Sequence, residues 1–178
     1  MTLEIIKNIL DTQMNMPVNR VWAYNADVDL PKDGNLFIVL RMVYRTPFSN
    51  NTRMKPTETG FEEHQTMNVA EDIIISLLSK TTEARDRAYE VQMALGSTYS
   101  IQQQELNKLH ISRIGEVYDA SFLEATSRLN RFDVRCRVLR SYDIINNIDY
   151  YDTFSGSLWV NQGSTVTKTD FSLNQEEL

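Results

Sequence analysis

The residues that could do chemistry are few, and they are scattered along the chain. Of the two histidines, His64 occupies a polar position of an alternating segment and His110 follows a helical pattern. Neither has a second histidine or a cysteine at the spacing that metal sites use. We therefore interpret both as surface residues and expect neither a metal ion nor another cofactor.

Four carboxylates occur in one segment: Glu62, Glu63, Glu71 and Asp72. A magnesium-dependent nuclease would need such a group, but successive side chains of a strand point to opposite faces and would separate adjacent carboxylates. The chain also lacks a Gly-rich phosphate loop, a nucleophile elbow and a zinc-hydrolase helix motif. We expect no catalytic residue and no enzyme activity. A nuclease that uses Glu62, Asp72 and His64 remains an alternative.

The single cysteine, Cys136, lies in an alternating segment between Val134 and Val138. One cysteine cannot form a disulfide within the chain, and a thiol among apolar neighbours usually behaves as a small core residue. We therefore predict that Cys136 is buried and unreactive, in a protein kept in a reducing compartment.

The charge balance and the chain start limit the possible partners and locations. A formal net charge of −6 argues against a protein that binds nucleic acid by neutralising phosphates. The first residues lack both the basic start and the apolar run of a signal peptide, and no apolar segment reaches the length of a membrane span. We expect a cytoplasmic protein without a membrane partner.

Apolar spacing predicts an α+β fold. The predicted elements are an opening helix that ends before Pro17, strands over 36–46 and 61–78, helices over 84–95 and 100–109, and strands over 111–117 and 129–142. Strands that mostly follow one another, with helices inserted between them, favour an antiparallel or mixed sheet with helices packed on one face. We predict a single domain over 1–160 and a polar C-terminal tail over 161–178.

A long hairpin loop is predicted over 46–60, between the first two strands. Pro47, Pro56 and Gly60 interrupt the strand pattern there, and loops of this length tend to be functional or mobile. The candidate contacts with a partner, or with the bore of an assembly, are Asn50, Asn51, Arg53 and Lys55.

A second candidate surface is a set of arginines on the polar face of the sheet. Its members are Arg41, Arg45, Arg131, Arg135 and Arg137. If their strands are neighbours, they form a basic stripe that could contact an acidic partner or a nucleic-acid backbone. The alternative is that they pair with Glu62, Asp133 and other carboxylates on a solvated face.

Three segments, in the order of elements found between Leu36 and Tyr142, resemble the tail-terminator and neck proteins of long-tailed bacteriophages. They are Gln65–Val69, Ala84–Asp86 and Leu129–Arg135, the last of which includes the Phe132-Asp133-Val134 start of a closing strand. Strand and helix orders of this kind recur in many families, so the segments themselves carry the resemblance.

The resemblance implies a structural virion protein assembled in the cytoplasm of a host bacterium. It implies a homo-oligomeric ring, expected to be six-fold, that caps the tail tube, stops its polymerisation and joins the tail to the head. The implied partners are the tail tube protein, the sheath protein and the head-connector or collar protein. DNA would pass through the acidic bore without sequence-specific binding.

Two other structural roles are compatible with the same residues. One is a different neck component, such as a collar, head-closure or tail-completion protein. The other is an adaptor that binds one host protein as a monomer or dimer. Concentration-dependent ring formation separates the adaptor from the ring proteins.

Overall fold

The computed structural model describes residues 2–23, 33–57, 60–124, 127–148, 153–162 and 165–174. The helices are α1 (Thr2–Gln13), α2 (Glu83–Asp86), α3 (Ala88–Leu95) and α4 (Thr98–Leu106). The strands are β1 (Val21–Ala23), β2 (Phe37–Thr57), β3 (Gly60–Ser79), β4 (Leu109–Asp119), β5 (Phe122–Glu124), β6 (Ser127–Ile148), β7 (Thr153–Gln162) and β8 (Thr165–Asn174). No described helix has both the length and the hydropathy to cross a membrane.

The main sheet is mixed, as an α+β fold of this kind predicts. Its strand order is β1-β2-β3-β6-β4, and β5 pairs with β6 outside this path. β1 runs parallel to β2, whereas β4 and β5 run antiparallel to β6. The predicted fold class is therefore confirmed.

Alternation along the strands gives the sheet an apolar face and a polar face. Ile38 and Leu40 of β2, Ile73 and Ile75 of β3, and Val138 of β6 belong to one hydrophobic core that also contains residues of α1 and α3. The intervening residues of the strands point away from the helices. The helices thus pack on one face, and the other face carries polar and charged residues, among them Arg135 and Arg137.

Cys136 is buried in this core, as the alternating pattern predicts. Burial raises the pKa of its thiol to about 12. The thiolate, which is the reactive form, is therefore disfavoured at neutral pH.

The α4 helix begins and ends earlier than the predicted range of 100–109. Ser97 is the N-cap, and its hydroxyl accepts a hydrogen bond of 3.1 Å from the backbone N–H of Ser100. Ser100, the first residue of the predicted range, is buried within the helix, where its hydroxyl accepts a hydrogen bond from the Gln104 amide.

The predicted loop over 46–60 is wrong, because β2 continues to Thr57 and β3 begins at Gly60. Within the described chain, β1 pairs only with Ile38–Leu40, so the rest of β2 has an open edge on that side. Pro47 and Pro56 are tolerated in such a strand because an open edge does not require every backbone N–H.

The predicted polar tail over 161–178 is also wrong over most of its length. β7 and β8 form an antiparallel two-stranded sheet whose register runs from Thr153↔Asn174 to Gln162↔Thr165. Thr and Val are frequent in 165–169, and β-branched residues suit strands even where no apolar stripe is present. Residues 175–178 lie outside the described part of the chain.

The chain divides into two compact units, and the predicted boundary at residue 160 does not coincide with this division. The larger unit contains residues 1–51 and 66–143, which include the four described helices and the hydrophobic core. The smaller unit contains residues 52–65 and 144–178, which include the β7–β8 sheet.

The edge strand β4 is irregular. Its register against β6 shifts between Ile111 and Arg113, and again between Ile114 and Val117. At the second shift two residues, Gly115 and Glu116, lie opposite Arg135, which is the pattern of a β-bulge. A Cβ atom on Gly115 would lie 2.9 Å from the backbone oxygen of Arg135, so this position requires glycine.

We predict that Gly115→Ala lowers the free energy of unfolding by about 1–3 kcal/mol, because a backbone atom cannot move aside cheaply. Gly96→Ala is the matched control, since its Cβ would lie 3.4 Å from the Gln92 oxygen, in a conformation that other residues adopt readily. We expect the control to stay within about 1 kcal/mol of wild type. Urea unfolding of both variants measures the difference, and equal stabilities would contradict the close contact at Gly115.

Candidate functional site

The polar face of the sheet contains a concave depression of about 990 Å³. Charged side chains line it from four strands: Arg41 of β2, Asp72 of β3, Arg135 and Arg137 of β6, and Arg113 of β4. The alternation that buries Val134, Cys136 and Val138 necessarily directs the arginines between them to this face. The face is therefore built by the same pattern that builds the core.

Two ion pairs order this face. Arg137 donates to both carboxylate oxygens of Asp72, from Nε at 2.7 Å and from Nη2 at 2.9 Å. Arg131 holds Asp133 in the same bidentate way and also donates to the hydroxyl of Ser76 at 3.3 Å. The hydrogen bond from Arg137 lowers the pKa of the Asp72 carboxyl, so this carboxylate stays charged at neutral pH. Each half-exposed pair contributes about 0–1 kcal/mol and mainly fixes side-chain positions.

The five arginines predicted to form one stripe do not share one face. Arg41, Arg135 and Arg137 line the depression, and Arg131 pairs with Asp133 on the same face. Arg45 lies elsewhere: its Nε atom is 3.0 Å from Oε1 of Glu71, on the core side of β3. The alternative in which arginines pair with carboxylates holds for Arg45, Arg131 and Arg137, although Glu62 is not among the partners.

Glu71 is fully buried, and it lies where the alternating pattern puts a core residue, two positions before Ile73. Its Oε1 atom accepts a hydrogen bond of 2.9 Å from the phenol of Tyr142 and contacts Arg45. Its Oε2 atom is buried and accepts no hydrogen bond from the described residues. A buried carboxylate is costly unless it is paired, so Arg45 and Tyr142 offset the cost of burying this charge.

Tyr142 connects the Glu71 cluster, which we define as Glu71, Arg45 and Tyr142, to the first helix. Desolvation and the hydrogen bond to Glu71 raise the pKa of the Tyr142 phenol, which therefore stays protonated and able to donate. The guanidinium of Arg140 lies 5.3 Å from the centre of the Tyr142 ring, a cation–π distance. Arg140 also donates to the hydroxyl of Thr2, at the start of α1.

The Glu71 cluster lies at the limit of the covered core. Along β2 every residue from Tyr44 to Thr57 is exposed, and along β6 every residue from Ser141 to Asn147 is exposed. On β3 the regular burial of alternate residues begins at Val69. The cluster therefore links β2, β3 and β6 at the point where the helices no longer cover them.

The predicted partner contacts of the former loop lie on this exposed part of β2. They are Asn50, Asn51, Arg53 and Lys55, and each is exposed. Tyr44, Phe48 and Met54 on the same strand are 66%, 58% and 56% exposed. An exposed strand that carries large apolar side chains is a typical surface for a partner.

The residues that the alternative nuclease would use, Glu62, Asp72 and His64, make contacts that do not form a metal site. Glu62 contacts His64, with 3.1 Å between Oε2 and Nε2, while Asp72 is held by Arg137. Glu71 and Asp72 lie on opposite faces of β3, as their adjacency predicts. Among the described residues, no group of three His, Cys, Asp or Glu side chains is arranged to hold a metal ion. His110 is exposed.

The roles of two residues were not predicted from the sequence. Glu71 interrupts the odd apolar positions of its strand, between Val69 and Ile73, and this break in the pattern could have marked it as a buried charge. Arg113 could not have been assigned to the arginine face, because only the register shift of β4 places it opposite Arg137.

We predict that Arg45→Met lowers the free energy of unfolding by about 1–2 kcal/mol, because it leaves a buried carboxylate without its cation. Arg53→Met is the control on the exposed part of the same strand and should change stability by less than about 0.5 kcal/mol. Adding Glu71→Gln to Arg45→Met should recover most of the loss, with a coupling energy of about 1 kcal/mol or more in urea unfolding. Additive effects of the two substitutions would contradict the pairing.

Comparison of this chain with known proteins assigns it to no family. No family model matches the sequence, and no curated protein matches it. The resemblance of its segments to phage tail-terminator and neck proteins, together with the surfaces described above, is therefore the basis for a functional proposal.

Proposed function

We propose that this protein is a structural subunit of a phage neck, a tail terminator that forms a ring on the end of the tail tube. The ring stops tube polymerisation and joins the tail to the head, and DNA passes through its bore. The observation that carries this proposal is the run of exposed residues on β2 from Tyr44 to Thr57.

A strand whose side chains are all exposed gains little from the core of its own subunit. Ribbons of this kind are marginally stable in water, and exposed apolar residues such as Phe48 add to the cost of solvation. A partner that covers the strand removes this cost. The exposed part of β2 is therefore suited to contact with the tail tube, and its open edge is suited to adding a strand from a neighbour.

The charge of the chain agrees with a channel for DNA. The net charge of −6 repels the phosphate backbone, so DNA can move past the ring without being held. The other neck rings, such as a collar, head-closure or tail-completion protein, need the same properties and remain the nearest alternative. Their difference from a terminator is functional, since only a terminator controls tube length.

The experiment that tests this proposal is tail assembly with a variant of β2. We predict that replacing Asn50, Asn51, Arg53 and Lys55 with alanine leaves a folded subunit, because these side chains are exposed, but yields tubes of irregular length. Electron microscopy of tails from a complemented null mutant measures the length distribution. Replacement of Glu4 and Asn8, which are exposed on α1, is the control and should give tails of normal length.

Tails of uniform length and normal head joining in the β2 variant would contradict the contact with the tube. Tails of uniform length in the null mutant itself would contradict the terminator role and favour another neck ring. Magnesium-dependent cleavage of a plasmid by the purified protein would favour the nuclease instead.

A further inference from the structure

Two arginines face each other across β4 and β6. Arg113 and Arg137 are direct partners in the register, and Arg135 lies two residues away from Arg137 on the same face. Like charges directly opposite each other in a sheet are destabilising. The fold maintains this arrangement although it works against stability.

The irregularity of β4 produces this pairing. Ile111 pairs with Val138, and without the shift that follows, Ser112 would lie opposite Arg137 and Arg113 would pair with the buried Cys136. The extra residue of the shift therefore turns Arg113 onto the arginine face, a known effect of bulges.

Helix α3 holds the second irregularity in place. The amide of Gln92 donates a hydrogen bond of 2.7 Å to the backbone oxygen of Gly115, the residue that approaches Arg135 closely. The backbone group freed by the bulge is thus satisfied by a side chain from the helix layer. This part of β4 is a specified feature of the fold.

The resulting surface, which we call the arginine face, combines excess positive charge with an apolar floor. Four arginines line it, Arg41, Arg113, Arg135 and Arg137, against the three carboxylates Asp72, Glu116 and Asp133. Asp133 is already paired with Arg131, and Asp72 accepts hydrogen bonds from Arg137 and acts on Arg135 only through space. Ile74 lies beneath them and is 7% exposed. The surface therefore suits a ligand that brings both carboxylates and apolar side chains.

The other side of the same unit presents the complementary surface. Large apolar residues of α3 and α4 are exposed there: Tyr89 at 66%, Met93 at 74%, Ile101 at 51% and Leu106 at 75%. The segment 83–106 also has more acidic than basic residues: Glu83 and Glu90 pair with Arg87, Asp86 pairs with Arg85, and Glu105 is the fourth carboxylate. We call this surface the helix face.

We propose that the arginine face of one copy of this chain binds the helix face of a second copy. The two faces lie on opposite sides of one sheet, so the contact is head to tail and leaves a free face at each end. This inference deepens the proposed function and rests on it, because repetition of such a contact closes a ring when the rotation between copies allows it.

The observations favour a protein carboxylate over a phosphate backbone as the occupant. Arg137 already binds a carboxylate in bidentate geometry at Asp72. The buried Ile74 in the floor gives an apolar side chain a place to dock, which a phosphate backbone does not need. The chain is acidic as a whole, unlike proteins that bind nucleic acid through phosphates.

The test is sedimentation velocity at low ionic strength with two matched variants. The arginine-face variant is Arg113→Glu/Arg135→Glu, and the helix-face variant is Met93→Lys/Glu105→Lys. Lys80→Glu/Lys168→Glu is the charge control: it changes the net charge as much as the arginine-face variant does, at exposed positions outside both faces and outside β2. Thermal melting checks folding: the arginine-face variant should melt no lower than wild type, because the substitution at Arg113 places a carboxylate opposite Arg137.

We expect wild type and the charge control to associate with the same concentration dependence. Each face variant alone should associate at least roughly tenfold more weakly, the loss expected when charged contacts are reversed. A one-to-one mixture of the two face variants should associate again, because it contains one unaltered pair of faces, whereas each variant alone contains none.

Wild-type protein that stays monomeric would overturn the inference, as would an arginine-face variant that associates like wild type or a mixture that does not associate again. Binding of duplex DNA that is lost in the arginine-face variant would assign the surface to nucleic acid instead. Rings that persist in the arginine-face variant would leave the proposed ring function intact and remove only this contact. If the face variants associate as weakly as expected but tails of the null mutant have a uniform length, the contact between copies stands and only the terminator role is contradicted.

Discussion

The burial of one carboxylate, Glu71, is the constraint on which the extended part of the structure depends. A charge at a core position requires compensation, and Arg45 and Tyr142 supply it from the two neighbouring strands. These contacts join β2, β3 and β6 where their coverage by the helices ends. Arg140, between the Tyr142 ring and Thr2, extends the connection to α1. The ion pair and hydrogen bond of Glu71 thus hold the start of the exposed part of β2, which we propose as a tube contact. They do so where the buried apolar residues of the strand end.

The same sheet separates two surfaces of different chemistry. Alternation buries Val134, Cys136 and Val138 against the helices and leaves Arg135 and Arg137 on the other side. The shifts of β4 then add Arg113 to the polar face, at a cost in stability that the fold itself does not recover. Natural proteins deviate from locally favourable choices mainly where function requires it, which is why this face carries the inference about copy-to-copy contact.

Periodicity was sufficient to predict the fold class, the core positions and the buried Cys136, because each depends on local alternation or helical spacing. It failed at the former loop over 46–60 and at the tail over 161–178, where prolines or polar residues occur within strands. The arginine stripe was predicted only in part: Arg135 and Arg137 share a face, but Arg45 pairs with Glu71. Register shifts and pairings between distant strands, such as that of Arg113 with Arg137, depend on tertiary structure and leave no local signal.

The exposed strand, the open sheet edge and the two unlike faces of this subunit become useful only in an assembly. The most direct measurement is electron microscopy of the purified protein mixed with tail tubes. We predict closed rings of uniform copy number, seated on one end of each tube and absent from its sides. Monomers that do not bind the tubes, or protein that binds along the length of the tubes, would contradict the proposed ring at the tube end.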